Sequence, residues 1–253
     1  MKYHIVIPAR MASQRLPGKP LAMIGGATLI EHVYRRASCA AAESAVVATD
    51  SEEILETCRG FGAKAVMTSA SHSSGSDRIA ECADLMGWGD ETLIVNLQGD
   101  EPLMPAACLD QAARLLRDHA SAAVGSLYHA IDAAAEACDP NAVKVVTGVD
   151  GMALYFCRSI IPFPRDFAGA EEAARAGQTW KRHVGLYAYR AGALRAFSRL
   201  EPTPLESMEK LEQLRFLESG RQIVMAEACA DIPAGVDTPE DLDRVRGLLL
   251  NDG

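Results

Sequence analysis

The sequence contains no Cys-x-x-Cys pair, no internal repeat and no apolar run approaching the length of a membrane span. Each absence removes a class. The seven cysteines, at 39, 58, 82, 108, 138, 157 and 229, are odd in number and scattered. A disulfide framework is therefore not expected. The thiols read as reduced, packed as small apolar groups in a cytoplasmic protein. Without about 20 consecutive apolar residues there is no candidate membrane helix. The first predicted strand begins at residue 3, which leaves no room for a signal peptide. An excess of positive charge is missing too. The formal net charge is -9, which argues against non-specific binding to nucleic acid or to an anionic membrane. The Walker phosphate loop is also absent. Gly18-Lys19 is followed by Pro20 rather than Ser or Thr, and no glycine stands five residues before Gly18. One dinucleotide-type match exists, Gly60-Phe61-Gly62-Ala63-Lys64-Ala65. It follows a predicted helix and precedes a strand, the reverse of what that fingerprint needs, so its glycines read as a helix end.

What is present describes an ordinary globule. With 253 residues, 49% hydrophobic and 23% charged, the chain is ample for one full core, and a single domain over 1–253 is expected. Strands are predicted at 3–7, 45–49, 63–67, 92–97 and 122–127, alternating with helices at 28–40, 52–59, 76–86 and 105–118. This βαβα order implies an α/β fold with a mainly parallel, Rossmann-like sheet covered on both faces. The second half is less regular. Residues 143–149 and 152–156, joined through Asp150-Gly151, read as a hairpin. Residues 162–177 read as a loop, 184–189 and 223–227 as strands, and 205–217 and 238–250 as helices. A small antiparallel extension over about 143–189 is expected, and its apolar Leu154, Tyr155 and Phe156 lack an obvious covering helix. An uncovered apolar edge is a pairing surface, so a symmetric homodimer is expected there.

The most informative stretch is Ile7-Pro8-Ala9-Arg10-Met11-Ala12-Ser13-Gln14-Arg15-Leu16-Pro17-Gly18-Lys19-Pro20. It places Arg10, Arg15 and Lys19 in a loop leaving the first strand. Prolines restrict that loop, and Gly18 lets its backbone approach a ligand. A cationic loop at the carboxyl edge of an open α/β sheet suits an anionic ligand, most naturally a triphosphate. The competing reading is a solvated basic loop. Leu97-Gln98-Gly99-Asp100-Glu101-Pro102 stands at the same predicted edge. Asp100 is a candidate Mg²⁺ ligand, since that ion binds through one or two carboxylates plus phosphate oxygens. Gln98 offers an amide to a base or a sugar hydroxyl. A plain Gly-Asp turn is the alternative.

Three further segments carry candidates. In Gly235-Val236-Asp237-Thr238-Pro239-Glu240-Asp241-Leu242, Thr238 reads as an N-cap and Asp241 as its capping-box partner. Asp237 is left either as a second metal ligand or as a further capping residue. In His72-Ser73-Ser74-Gly75-Ser76-Asp77-Arg78, small residues suit close approach to a nucleobase, or Ser76 is simply an N-cap. Glu212 stands one turn from Met208 and Phe216 on the predicted helix, near its apolar stripe, where a carboxylate needs a partner or a ligand. Arg158, His183, Tyr187 and Gln213 are polar groups near apolar elements. For His183 and Tyr187 the pattern alone favours satisfied packing.

Together these segments resemble the 3-deoxy-manno-octulosonate (Kdo) cytidylyltransferases nearly end to end. The likeness rests on Ile7-Pro-Ala-Arg10, Arg15-Leu-Pro-Gly-Lys19-Pro20, Val47-Ala-Thr-Asp50, His72 to Arg78 and Val95-Asn-Leu-Gln-Gly-Asp-Glu-Pro102. It continues through Asn141-Ala-Val-Lys144, Arg182-His-Val-Gly-Leu-Tyr187, Leu205-Glu206, Leu211-Glu-Gln-Leu-Arg215 and Gly235-Val-Asp-Thr-Pro-Glu240. The first loop is shared with other nucleotide-sugar synthetases; the combination is more specific. The resemblance implies a nucleotide-diphospho-sugar transferase fold and Mg²⁺-dependent formation of CMP-Kdo and pyrophosphate from CTP and Kdo, for lipopolysaccharide biosynthesis. It implies that Arg10 and Lys19 hold the triphosphate and that Asp100 and Asp237 hold Mg²⁺. Pro8, Ala9, Ser74, Arg78 and Gln98 would complete the CTP contacts. Arg15, Gln98, His183, Tyr187, Glu212 and Gln213 would face Kdo. It also implies a homodimer. Residues 162–179 depart from the family pattern in length and composition. Synthetases for sialic acid or amino-Kdo would share the nucleotide-side motifs, and a silent CTP-binding module is the non-enzymatic alternative.

Overall fold

The computed structural model describes residues 2–12, 15–72 and 74–251. Ser13 and Gln14 of the cationic loop, and Ser73, lie outside them. The first half follows the predicted alternation. β1 (His4–Ala9), β4 (Ser44–Thr49), β5 (Ala65–Met67) and β6 (Leu93–Asn96) alternate with α1 (Leu29–Ser38), α2 (Glu52–Gly60), α3 (Gly75–Leu85) and α4 (Ala106–Asp118). A short hairpin, β2 (Met23–Ile24) with β3 (Ala27–Thr28), precedes α1. The second half holds β7 (Ala122–Ile131), α5 (Ala134–Cys138), β8 (Lys144–Thr147), β9 (Ala153–Cys157), α6 (Ala170–Arg175) and β10 (Trp180–Arg190). It ends with α7 (Ala191–Phe197), α8 (Pro204–Glu209), α9 (Gln213–Glu218), β11 (Gln222–Glu227) and α10 (Pro239–Asn251).

The main sheet runs β11-β7-β10-β6-β1-β4-β5. β1 pairs in parallel with both β4 and β6, so Val6 lies between Val46 and Asn96. β10 is the antiparallel strand, inserted between β6 and β7. The β8–β9 hairpin joins it through Lys144 opposite Arg182, which is the expected antiparallel extension.

Alternation along β1 divides the core. Ile5 and Ile7 face Leu29, Ile30 and Val33 of α1 and Leu109 of α4. Val6 faces the other way, among Ile79 and Ala83 of α3, Leu194 and Phe197 of α7 and Leu214 of α9. Each fully buried aliphatic side chain stabilises the fold by about 1.5–3 kcal/mol relative to exposure. The rejected dinucleotide match is a helix end: Gly60 is the last residue of α2, and Gly62 follows with φ 77°.

Several elements differ from expectation. The predicted helix over 205–217 is two helices. Lys210 breaks it in the left-handed region (φ 55°, ψ 46°), so Met208 is 82% exposed while Leu211 turns into the core. Glu212 is therefore the residue that opens α9, not a residue on a continuous apolar stripe. α5, α6 and α7 span five to seven residues each, too short to show a helical period in sequence. α6 lies within the stretch read as a loop. Phe156, expected on an open apolar edge, is fully buried; Leu154 is the exposed one, at 65%.

The α8–α9 corner is held by Glu206. Its carboxylate takes the Arg215 guanidinium at 2.5 Å and accepts from the Thr203 N–H at 3.1 Å, while Arg215 lies 4.3 Å over the Phe197 ring. Burial would raise the Glu206 pKa, but the bonds from Arg215 and Thr203 outweigh it and hold it below the usual carboxylate value. Glu206→Ala leaves the Arg215 charge uncompensated and should cost about 3 kcal/mol or more. Urea titration checks this, and a wild-type midpoint would contradict it.

Candidate active site

β1, β4 and β6 end side by side, and the segments following β1, β5 and β6 meet over one cleft of about 670 Å³. Pro8, Ala9, Arg10, Arg15, Lys19, Ser74, Arg78, Gln98, Asp100 and Asp237 all line it. Every nucleotide-side residue named from sequence thus reaches one place, as does Arg15.

Two glycines make the convergence possible. A Cβ on Gly99 would lie 2.9 Å from the Pro8 carbonyl oxygen, and one on Gly235 would lie 2.9 Å from the Asp100 carbonyl oxygen. Real Cβ atoms do not come that close, so these loops stack only because both positions lack a side chain. The Val236 N–H then donates to the Asp100 carbonyl at 2.8 Å, and Asp237 arrives beside Asp100.

Lys19 occupies the point where the carboxylates meet. Its Nζ donates to Asp100 Oδ2 at 2.6 Å, to Asp237 Oδ1 at 3.1 Å and to the Val236 carbonyl at 2.9 Å. Arg15 adds a contact to Asp237 Oδ2 at 3.0 Å. The capping alternative for Asp237 fails on geometry. Thr238 and Asp241 form the box between themselves, through Asp241 N to Thr238 Oγ1 at 3.2 Å and Thr238 N to Asp241 Oδ2 at 3.1 Å. The Asp237 carboxylate points instead to the cations. Arg10 is exposed and has no hydrogen bond or ion pair to a described residue.

On the α3 side the helix cap is Ser74, not Ser76: its Oγ accepts from Asp77 N at 3.1 Å. Arg78 reaches the cleft, but its guanidinium is held by Asp50 Oδ2 and Thr68 Oγ1, both at 2.5 Å. A buried arginine requires such partners. His72 also lines the cleft, bonded to Glu81 at 2.5 Å. Burial works against the Glu81 charge, yet the Ser69 N–H and His72 bring its pKa below the ordinary value. Neither His72 nor Asp50 carried a role in the sequence reading, where each appeared only inside a longer motif.

His183, Tyr187, Glu212 and Gln213 do not line this cleft; they form a second group. β10 bulges where pairing shifts from Val184–Leu127 to Tyr187–Ser126, and such a bulge re-aims side chains. The Gln98 amide donates to Gly185 O in the bulge at 3.2 Å, which ties the cleft to this strand. The rings of Phe156, His183, Tyr187, Tyr189 and Phe216 follow one another with centroids 5.0, 5.2, 5.7 and 5.9 Å apart. Glu212 is the acidic member. Burial raises its pKa, and hydrogen bonds from Ser74 and Ser76 partly offset that. Its Oε1 is buried without a hydrogen-bond partner among the described residues, as is Asn96 Oδ1, which sequence reasoning did not single out. Gln213 is 6% exposed. Glu101, beside Asp100, is pushed up to about 8 by burial and by the Asp100 charge, so it is mainly neutral at pH 7 and adds little to the local negative field.

Two carboxylate oxygens within reach of one cation suit a hard divalent ion that draws its remaining ligands from phosphate and water. Among the described residues no cluster of three or more His, Cys, Asp or Glu has metal-binding geometry, so such an ion depends on oxygens that a substrate brings. Lys19, Arg10 and Arg15 supply the positive field a polyphosphate requires.

His183 makes this second group pH-sensitive. Burial pushes its pKa down to about 3, from 6.5. The unfolded chain therefore takes up the proton first as pH falls. The full stability is present above pH 6.5 and is lost toward pH 3, by at most about 1.4 kcal/mol per pH unit. His183→Gln should flatten the decline in unfolding free energy between about pH 6 and 4. Urea titrations across that range check this, and an unchanged slope would contradict it.

Known proteins resemble this chain over nearly its whole length. A family profile described as Cytidylyltransferase matches residues 4–223. A 3-deoxy-manno-octulosonate cytidylyltransferase of Pseudomonas fluorescens (strain SBW25) is 48% identical over 248 residues, covering 98% of each chain. One from Thioalkalivibrio sulfidiphilus (strain HL-EbGR7) is 47% identical over 249 residues, covering 98% of this chain and 99% of its own. Among solved structures, a CMP:2-keto-3-deoxy-manno-octonic acid synthetase complexed with CTP superposes with a TM-score of 0.91, at 41% identity and over 100% of both chains. A cytidylyltransferase from Leptospira borgpetersenii shares the fold at 20% identity and a TM-score of 0.63, over 99% of this chain and 87% of its own. With its full-length likeness and its convergent cleft, this chain belongs to the 3-deoxy-manno-octulosonate cytidylyltransferases, a family of nucleotidyltransferases.

Proposed function

We propose that this protein transfers CMP from CTP to Kdo, releasing pyrophosphate, and that the product feeds lipopolysaccharide assembly in the cytoplasm. The observation that carries the reading is the meeting of Asp100, Asp237, Lys19 and Arg15 at one end of a cleft that Arg10, Ser74 and Arg78 complete. The anomeric hydroxyl of the sugar attacks the α-phosphorus, and pyrophosphate leaves. Chemistry of this kind is mainly positioning and charge neutralisation. Arg10 and Lys19 bind the triphosphate and take up charge as it moves onto pyrophosphate. Pro8, Ala9, Ser74, Arg78 and Gln98 fix the rest of the nucleotide. Arg15 and Gln98 face the sugar at the cleft, and His183, Tyr187, Glu212 and Gln213 receive it beyond Gln98. Mg²⁺ held by Asp100 and Asp237 supplies neutralisation at the phosphate oxygens and makes the attacking hydroxyl more acidic. The whole chain acts as one domain.

Pyrophosphate release from CTP with a panel of 2-keto sugar acids tests the reading. Turnover is expected with Kdo, whereas turnover with a sialic acid or amino-Kdo alone would reassign the substrate, and none with any acid would leave a binding module. Asp100→Asn and Asp237→Asn should each lower kcat about 100-fold or more, the several kcal/mol that such charge stabilisation supplies. Thermal stability should change little in Asp237→Asn, because Thr238 and Asp241 form the cap. Near-wild-type turnover in Asp237→Asn would remove it from the metal site.

The assembly proposed is a symmetric homodimer through the region 143–189. Leu154 on β9 and Phe163 in the following loop are 65% and 74% exposed. β9 ladders with β8 and with no other described strand, while the chain entering it bonds β11 through Met225 N to Gly151 O at 2.9 Å, so the surface left for a second copy is the stretch around Leu154. Light scattering at micromolar concentration should give twice the chain mass, and a monomer would contradict the assignment.

A further inference from the structure

We infer that the Lys19 ammonium holds the cation position between Asp100 and Asp237 until nucleotide arrives, so that a divalent ion enters the site only together with CTP. This rests on the reading of Asp100 and Asp237 as metal ligands. An ammonium has three donors, and all three of Lys19 are engaged, at 2.6 Å to Asp100, 3.1 Å to Asp237 and 2.9 Å to the Val236 carbonyl. The Lys19 side chain is 14% exposed, so it fills this position from within the cleft rather than reaching across its surface. Mg²⁺ needs oxygen ligands at about 2.0–2.1 Å. An ion at that distance from both carboxylates would fall on or against Nζ. Contact and like charge therefore make the two cations alternatives.

Charge and ligand count say what drives the exchange. Without nucleotide, two carboxylates face the two cations Lys19 and Arg15, and the site is balanced. For a divalent ion alone the same site offers two carboxylates out of about six ligands, and entry would cost Lys19 its three hydrogen bonds with no anionic acceptor to replace them. A triphosphate alters both terms. Its oxygens give Lys19 a more highly charged acceptor at the other end of the same loop, and they supply the ligands that the carboxylates lack. The ammonium moves from carboxylate to phosphate as the divalent ion replaces it, and neither Asp100 nor Asp237 is left bare. Lys19 is thus a positioning residue for metal entry as well as a phosphate ligand.

Mn²⁺ is the probe, with free ion counted by electron paramagnetic resonance on the full-length protein. Wild type, Lys19→Met and Lys19→Arg are compared without nucleotide, each checked for folding by circular dichroism; Lys19→Gln replaces Lys19→Met if that variant does not fold. Lys19→Met should bind Mn²⁺ at least tenfold more tightly than wild type in the absence of CTP. Lys19→Arg, which keeps the charge, should bind as weakly as wild type. Adding Asp100→Asn to Lys19→Met should abolish the gain. Equal Mn²⁺ affinity in wild type and Lys19→Met without CTP, with CTP still recruiting Mn²⁺ to wild type more strongly than to Asp100→Asn, would overturn the inference and leave the metal reading standing. If CTP recruits no more Mn²⁺ to wild type than to Asp100→Asn, the metal reading fails and the inference with it.

Discussion

Two carboxylates cannot share one point without a cation, and the functional edge of this protein is organised around that constraint. Like charges about 4 Å apart repel by about 4 kcal/mol at the effective dielectric of a protein surface. Asp100 and Asp237 are brought together by backbone, because Gly99 packs on Pro8 and Gly235 packs on Asp100 at distances that admit no side chain. Lys19 and Arg15 offset the repulsion. The cationic loop therefore has a structural duty as well as a ligand-binding one. It joins the end of β1, the end of β6 and the start of α10 into one wall.

Behind that wall the chemistry changes character. The cleft is open and charged, while His183, Tyr187 and Glu212 around the β10 bulge are half-buried among aromatic rings. His183 is held uncharged by burial, Tyr187 is kept far from ionising for the same reason, and burial raises the Glu212 pKa as well. A buried carboxylate with an unsatisfied oxygen is costly unless something completes its bonds. Under the proposed function, a sugar rich in hydroxyl groups is the natural donor. The two groups meet through Gln98, whose amide spans from the cleft to Gly185.

Much of the fold was legible because the first half of the chain is regular. Ile5, Val6 and Ile7 alternate between two cores, and Leu29, Ile30 and Val33 repeat on one helical face. The errors have local causes. Ser74 and Ser76 are both plausible caps, and two residues of chain decide between them. The helix over 205–217 reads as continuous because Lys210 has good intrinsic propensity; its left-handed backbone follows from Leu211 turning into the core while Met208 faces solvent.

The sequence by itself determined the strand–helix alternation, the cationic loop after the first strand and the residue types that a phosphate and a divalent ion require. Those are properties of short segments, carried by periodicity, turn residues and charge. It also carried the family, through motifs dispersed over nearly the whole chain. Only the tertiary structure decided that Lys19 bonds Asp100 and Asp237 rather than reaching into solvent, and that the Arg78 guanidinium is already occupied by Asp50 and Thr68. It likewise decided that His183, Tyr187, Glu212 and Gln213 lie apart from the cleft. These facts depend on which strand ends are neighbours and on how closely two glycines let loops approach. Both are distances between segments remote in the chain, and local sequence does not encode them.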